Sequence, residues 1–511
     1  MFVFPIFVLC FSFLLAFYNF YYKRRKLPPG PIPLPLVGNI LTLIRKKPGE
    51  DAFLEWKRKY GPIYTYWLGE MPVVCVADYE NIVEVFRKGG EEFTQRQIFV
   101  DFTHEFRGNI YGIFFINGDF WKEQRKFAST VFRNFGLYSN LMEKKILVEL
   151  SRMFERIDGK LAKSKSGEIN LIEDVEISIG SIINCTLFGY GYDTEERIDE
   201  FHELLKLFDN AFKLAYEKNL GSLFSTLIVC FPNSTKNLPF FRERYEALME
   251  VSRNLRNFFM KRIQKRAEQI DFKSDEYDDF VEAFLKEKER LDGQGIAHSF
   301  SMDQLWNICM DIWIAGQETS STIIAWGMAH LLNNPQSLAR VYDELDRVMG
   351  DERRLITAGD KARMPYTNAT INEFLRISNM IVQNAYRRVF VDVTIGNFQI
   401  PKGTCILPQI SVVLADDEVF DNPKMFRPER FLDENGNFVT CEKLIPFSVG
   451  RRKCFAESMA KMEIFLFTAN ILNQYRLSVG KVLPSIKREM GITIHCPKFE
   501  CRVEKRIGHK L

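Results

Sequence analysis

Phe447-Ser448-Val449-Gly450-Arg451-Arg452-Lys453-Cys454-Phe455-Ala456-Glu457 is the stretch on which the reading of this chain turns. A thiolate that binds a metal must be deprotonated, shielded from bulk water and closely approached by backbone donors. Gly450 lets the backbone turn tightly, and Arg451, Arg452 and Lys453 surround Cys454 with positive charge. The apolar pattern that follows, through Phe465, reads as a helix and places Cys454 at its N-terminus. An isolated cysteine is ordinarily a small inert hydrophobe. The complete string makes Cys454 a candidate ligand.

Upstream, Met302 to Leu332 reads as one long apolar helix interrupted in its middle by Ala315-Gly316-Gln317-Glu318-Thr319. Glycine inside a helix costs about 1 kcal/mol relative to alanine, so Gly316 should have a packing or ligand reason. The adjacent acid and hydroxyl stand where a core helix ordinarily has Leu or Ile, either as a polar insertion satisfied by neighbours or for a functional reason. Glu373 and Arg376 lie three apart in a predicted helix over Tyr366 to Ile377 and so share a face. Trp121 and Arg125 share a face in another, Trp121 to Phe132. Further helices are predicted over Met142 to Ile157 and Pro335 to Met349. Strands are predicted over Ile63 to Leu68 and Val73 to Ala77, joined by a Gly69-Glu70-Met71-Pro72 turn, and in short pieces between Val389 and Ile400.

These strings, in this order, resemble the cytochrome P450 monooxygenases. Phe447, Gly450, Arg452 and Cys454 match the haem-binding pattern Phe-x-x-Gly-x-Arg-x-Cys-x-Gly, with Ala456 standing where the pattern has its last glycine. The resemblance implies a mainly α fold with small β-sheets and a single catalytic domain. It implies Cys454 as axial ligand of haem b iron, within a loop shaped by Phe447 and Gly450. Thr319 and Glu318 become the proton-delivering pair, and Glu373, Arg376 and Arg430 a buried network behind the haem. The propionates fall to Trp121, Arg125, Arg387 and Arg452, with Arg96 as a further candidate. Electrons are expected from NADPH through NADPH–cytochrome P450 reductase, a flavoprotein, with cytochrome b5 as a further candidate partner. No glycine-rich nucleotide fingerprint follows a convincing strand, so NADPH is expected on the partner.

The rest of the chain bounds the setting. Its 511 residues carry 69 basic and 66 acidic side chains, a net charge of +3 that is too balanced to imply nucleic acid as the main partner. Ten cysteines without a CxxC pair read as reduced thiols. Phe2 to Tyr22 is almost wholly apolar and is followed at once by Lys23-Arg24-Arg25-Lys26, which predicts an uncleaved membrane anchor over 1–22 with the body on the cytosolic side. Pro28-Pro29-Gly30-Pro31-Ile32-Pro33-Leu34-Pro35 makes 23–38 a basic, proline-rich hinge, and 39–511 reads as one catalytic domain. Anchor, hinge and Phe132-Arg133-Asn134-Phe135-Gly136 look most like the microsomal, family-two-like group that oxidises foreign compounds, fatty acids and steroids, which places the chain at the endoplasmic reticulum.

By residue-wise resemblance, the substrate pocket is expected to be lined by Phe114, Phe115, Ala315, Ile381, Ala385 and Ile492, all apolar. Lys122, Lys126, Arg133 and Lys453 form a candidate basic patch for an acidic reductase. Two other readings share these features. One is a reductase-independent isomerase or dehydratase on the same fold, from which the acid and hydroxyl are often missing. The other is a haem- or lipid-binding membrane protein without turnover, since a fold alone does not prove catalysis.

Overall fold

The longest helix is set by its ends. Ser301 accepts the backbone N–H of Gln304 at 3.1 Å, Asp303 sits in the first turn, and Pro335 follows the last residues. The computed structural model describes residues 3–46, 49–136, 140–216, 220–350, 354–491 and 493–506. The helices that matter to the site are, in chain order, α1 (Val3–Phe20), α2 (Gly118–Asn134), α3 (Asn140–Lys163), α4 (Leu171–Phe188), α5 (Glu195–Tyr216), α6 (Met302–Asn333), α7 (Pro335–Met349), α8 (Pro365–Ser378) and α9 (Glu457–Gln474). The strands among the described residues are β1 (Ile63–Leu68), β2 (Met71–Val76), β3 (Glu168–Ile169), β4 (Arg387–Arg388), β5 (Val393–Ile395), β6 (Phe398–Ile400), β7 (Cys405–Pro408), β8 (Tyr475–Val479), β9 (Glu489–Met490), β10 (Ile494–His495) and β11 (Cys501–Lys505). The molecule is mainly helical with small sheets, as expected.

α6 runs for 32 residues, about 48 Å, through the main apolar core, and Trp306, Trp313 and Trp326 along it are fully buried. Two glycines let its neighbours close in. A methyl group on Gly316 would lie 2.6 Å from Ile183 of α4, and one on Gly327 would lie 2.3 Å from the Phe374 ring of α8. The anticipated reason for Gly316 is therefore packing: α4 lies against the helix there.

The principal sheet has the order β1-β2-β7-β4, with β2 and β7 parallel and the other pairs antiparallel. Here two expectations need correction. The β1–β2 turn is only Gly69-Glu70, because Pro72 already lies in β2 opposite Trp67. Pairing with β7 begins at Val73, so proline interrupts no ladder on that side. The 389–400 region is also divided: β4 ends at Arg388 and joins the principal sheet, while β5 and β6 form a hairpin of their own. β3, β11 and β8 form a third sheet, and β9 and β10 a small hairpin.

The ten cysteines carry free thiols. Among the described residues no helix is long and apolar enough to cross a membrane. α1 nevertheless exposes Phe7, Phe11, Phe13, Leu14, Leu15 and Phe17.

Candidate functional site

The Cys454 loop is held by local geometry. Ser448 and Gly450 adopt φ of 66° and 74°, and a methyl group on Gly450 would lie 1.7 Å from the Phe86 carbonyl oxygen. Only glycine allows that crossing. The backbone N–H of Cys454 donates to the Phe447 carbonyl at 3.0 Å, and Lys453 donates to Gly450 at 3.0 Å, which closes the loop. Ala456, the N-cap of α9, has φ −95°, a conformation open to any residue, so its methyl group introduces no backbone strain. Burial raises the Cys454 thiol pKa, while the Ala456 backbone N–H and the charges of Arg125 and Lys453 oppose that rise. A cleft of about 350 Å³ opens beside it, lined in part by Arg125, Arg133, Lys453 and Cys454.

Four guanidinium groups converge near the loop. Arg452 donates to Thr94, Ile116 and Asn117 at 2.7 to 2.9 Å and lies 3.9 Å from the Trp121 ring. Arg387 starts β4, donates to the Phe93 carbonyl at 3.2 Å and stacks on Phe86. Arg96 donates to the Ala385 carbonyl at 3.3 Å. Arg125 of α2 donates to the Lys453 carbonyl at 2.7 Å. Among the described residues no carboxylate faces Arg96, Arg387 or Arg452, and the Nε atoms of Arg96 and Arg387 are buried without a hydrogen-bond acceptor. Burial, compounded by mutual repulsion, pulls their pKa values down, to about 10 for Arg96, 9 for Arg387 and 8 for Arg452. A guanidinium keeps its proton inside proteins. The cluster therefore has the charge and the free donors to hold an anion such as a carboxylate.

On α8, Arg376 donates to Glu373 in a bidentate pair, with two 2.7 Å bonds. Arg430 adds an ion pair at 3.1 Å to Glu373 Oε2, and the Arg427 N–H donates to Oε1 at 2.9 Å. Glu373 and Arg376 are all but inaccessible to solvent. The three residues expected to form one network are brought together.

On α6, the Thr319 hydroxyl donates to the Ala315 carbonyl at 2.7 Å. The Glu318 carboxylate accepts from Thr493 at 2.9 Å and lies 3.2 Å from His495 Nε2. Burial raises its pKa, and His495 is the foremost opposing influence. Neither Thr493 nor His495 was singled out from sequence, nor was the buried pair Arg107–Asp311. Asp311 accepts Arg107 at 2.8 Å and, through its other oxygen, the N–H groups of Ile113 and Phe114. This carboxylate on α6 fixes the loop that carries Phe114 and Phe115, whose rings meet edge to face at 4.9 Å. Arg96 lies over one ring and Arg107 over the other, so two of the six expected pocket residues have cations against them. Ala315 is exposed, as are Phe114 and Ile381; Ile492 lies outside the described residues. Of the proposed basic patch, Lys122 pairs with Glu91 at 2.9 Å and Lys453 pairs with Glu457, which leaves Lys126 and Arg133 to carry it.

The site therefore joins a glycine-shaped cysteine loop at a helix start to buried cations that face no carboxylate among the described residues. The sequence comparisons give the family. Residues 28–503 match the model of the cytochrome P450 family. Curated relatives include cytochrome P450 2C20 of Macaca fascicularis, 33% identical over 93% of both chains, and cytochrome P450 2C8 of Homo sapiens, 32% identical over 93% of both. Cytochrome P450 2H2 of Gallus gallus is 32% identical over 93% of this chain and 92% of its own. The chain belongs to the cytochrome P450 family. It is a monooxygenase of lipophilic substrates, with a haem cofactor and electrons supplied by a reductase.

Proposed function

We propose that the chain holds haem b on the Cys454 thiolate and oxidises xenobiotics, fatty acids or steroids at the cytosolic face of the endoplasmic reticulum membrane. NADPH–cytochrome P450 reductase supplies NADPH electrons, and cytochrome b5 is a second donor. The observation that carries this reading is the set of buried cations at Arg96, Arg387 and Arg452, which face no carboxylate. When bound, the haem supplies oxygen activation, helped by electron donation from its thiolate. The chain's own residues do the rest. Phe447 and Gly450 set the backbone that aims Cys454, and Arg96, Arg125, Arg387, Arg452 and Trp121 receive the propionates. Thr319 and Glu318 hold protons on α6, which also carries Ala315, and Phe114, Phe115, Ile381 and Ala385 are the other described residues of the apolar substrate pocket.

The apolar run 1–22 serves as anchor, 23–38 as hinge and 39–511 as the catalytic domain. The exposed Phe and Leu side chains of α1 and the cations that follow it support that division. Lys126 and Arg133 provide positive charge for the reductase. The ligand assignment is tested by Cys454→Ser. The reduced protein should lose the red-shifted carbon-monoxide band and all product formation, and a retained band rules out Cys454. Alkaline carbonate extraction of microsomes tests the anchor: release of the full chain into the supernatant excludes it.

A further inference from the structure

This inference rests on the monooxygenase reading and concerns proton supply to the same site. The overall reaction, RH + O2 + 2e⁻ + 2H⁺ → ROH + H2O, consumes two protons per turnover. A buried acid that delivers them must be reloaded each time. Glu318 is such an acid, and its surroundings show where its protons enter.

Its Oε1 is held by the Thr493 hydroxyl at 2.9 Å and approached by His495 Nε2 at 3.2 Å. The Glu318 side chain is 15% exposed and that of His495 is 38% exposed, so the imidazole spans from solvent to the buried carboxylate. Thr493 and His495 flank Ile494 in the β9–β10 hairpin, and α6 fastens that hairpin a second time. Trp326 Nε1 donates to the Ile494 carbonyl at 2.9 Å, about 12 Å along the helix from Glu318. The Ile494 N–H donates to Met380 at 2.8 Å. The hairpin also makes room for the ring: a methyl group on Gly491 would lie 2.2 Å from His495 Nε2. Other charged groups surround the pair. Asp209 of α5 acts on Glu318, and Glu489 lies opposite His495 in the hairpin register. Glu176 of α4 is pushed up to about 7 by burial; Lys498 opposes that rise and Glu318 and Asp209 add to it.

We infer that His495 is the relay through which solvent protons reload Glu318, with Thr493 fixing the carboxylate for the transfer. An imidazole can take a proton at one ring nitrogen and give one from the other, which suits a group at this boundary. In the step, the Nε2–H bond of the imidazolium breaks and an O–H bond forms at Glu318 Oε1. An ion pair becomes a neutral pair, and His495 takes its next proton from solvent. Glu318 then gives its proton toward the hydroxyl of Thr319, directly or through one water, and returns to the carboxylate.

The test uses the full-length haem-loaded enzyme with its reductase and a substrate it turns over. His495→Gln keeps a hydrogen-bond donor but cannot ionise. Product per electron pair should fall roughly 10-fold or more, with the electrons appearing as hydrogen peroxide. The second readout is infrared. The carboxylic C=O band that vanishes in Glu318→Gln should titrate at higher pH in His495→Gln, because the imidazolium no longer favours the carboxylate. Gly491→Ala, which displaces the ring, should reproduce both changes.

Unchanged coupling in His495→Gln overturns the relay even if the infrared midpoint moves. Lost coupling with an unmoved midpoint also overturns it, because His495 then acts elsewhere. A normal carbon-monoxide band in the variants separates either outcome from failure of the monooxygenase reading, in which the wild type itself lacks the band.

Discussion

Two buried charge clusters, around Glu373 and around Arg387, are built in opposite ways. Around Glu373, the Arg376 guanidinium meets the carboxylate with bidentate geometry and Arg430 adds an ion pair at 3.1 Å, so the cations face an acid of the protein's own. Around Arg387, three guanidiniums crowd together with carbonyl partners only. A buried ion pair with excellent geometry locks a fold, and breaking it by removing one partner costs several kcal/mol. A buried cation cluster without an acid leaves the polypeptide in tension until an anion arrives. The first belongs to the architecture, and the second is the place we propose for the propionates.

The largest expected effect breaks the paired cluster. Glu373→Gln leaves Arg376 and Arg430 buried beside a neutral amide and should cost about 3 to 5 kcal/mol. Thermal unfolding of the apoprotein and haem content after expression should both fall; an unchanged melting temperature would mean that the network does not hold α8 in place.

Next comes the unpaired cluster, where the sign reverses. Arg387→Leu should leave apoprotein stability unchanged or raised, because one buried, mutually repelled charge is gone. Haem retention should nevertheless drop by about 1.5 to 3 kcal/mol, the worth of a charge-assisted hydrogen bond. Transfer of haem to apomyoglobin measures the loss. A fall in apoprotein stability equal to that of Glu373→Gln would erase the distinction between the clusters.

Thr319→Ala tests the far side of the site. Haem loading should match wild type while peroxide replaces product, read as the ratio of product to NADPH consumed. The smallest effect is predicted at Ala456→Gly. The φ of −95° needs no glycine, and glycine is the better N-cap but the more flexible residue, so stability should move by less than about 1 kcal/mol. Urea unfolding would show a larger shift if the methyl group were a packing contact.

The cysteine loop could be read in advance because its determinants are local. Gly450 must turn at positive φ, and the bonds that close the loop span seven residues or fewer. The same holds for Glu373 and Arg376, one helical turn apart, and for the ends of α7, where Pro335 opens the helix and Gly350 follows it. The β1–β2 turn is shorter than its sequence predicts because Pro72, ordinarily a strand breaker, stands in β2 beyond the reach of β7.

Residues 318 and 493 lie 175 positions apart, and 107 and 311 lie 204 apart. Nothing in local spacing ties such pairs together. Hydrophobic periodicity records which face of an element is buried but not which distant element covers it. Sequence by itself therefore determined the helical class, the cysteine loop and the acid–hydroxyl pair on α6, all of which depend on neighbours along the chain. Tertiary structure decided which cations go without a carboxylate, how Asp311 fixes the Phe114 loop, and that His495 reaches Glu318, because each depends on how separate elements pack and on the charge buried where they meet.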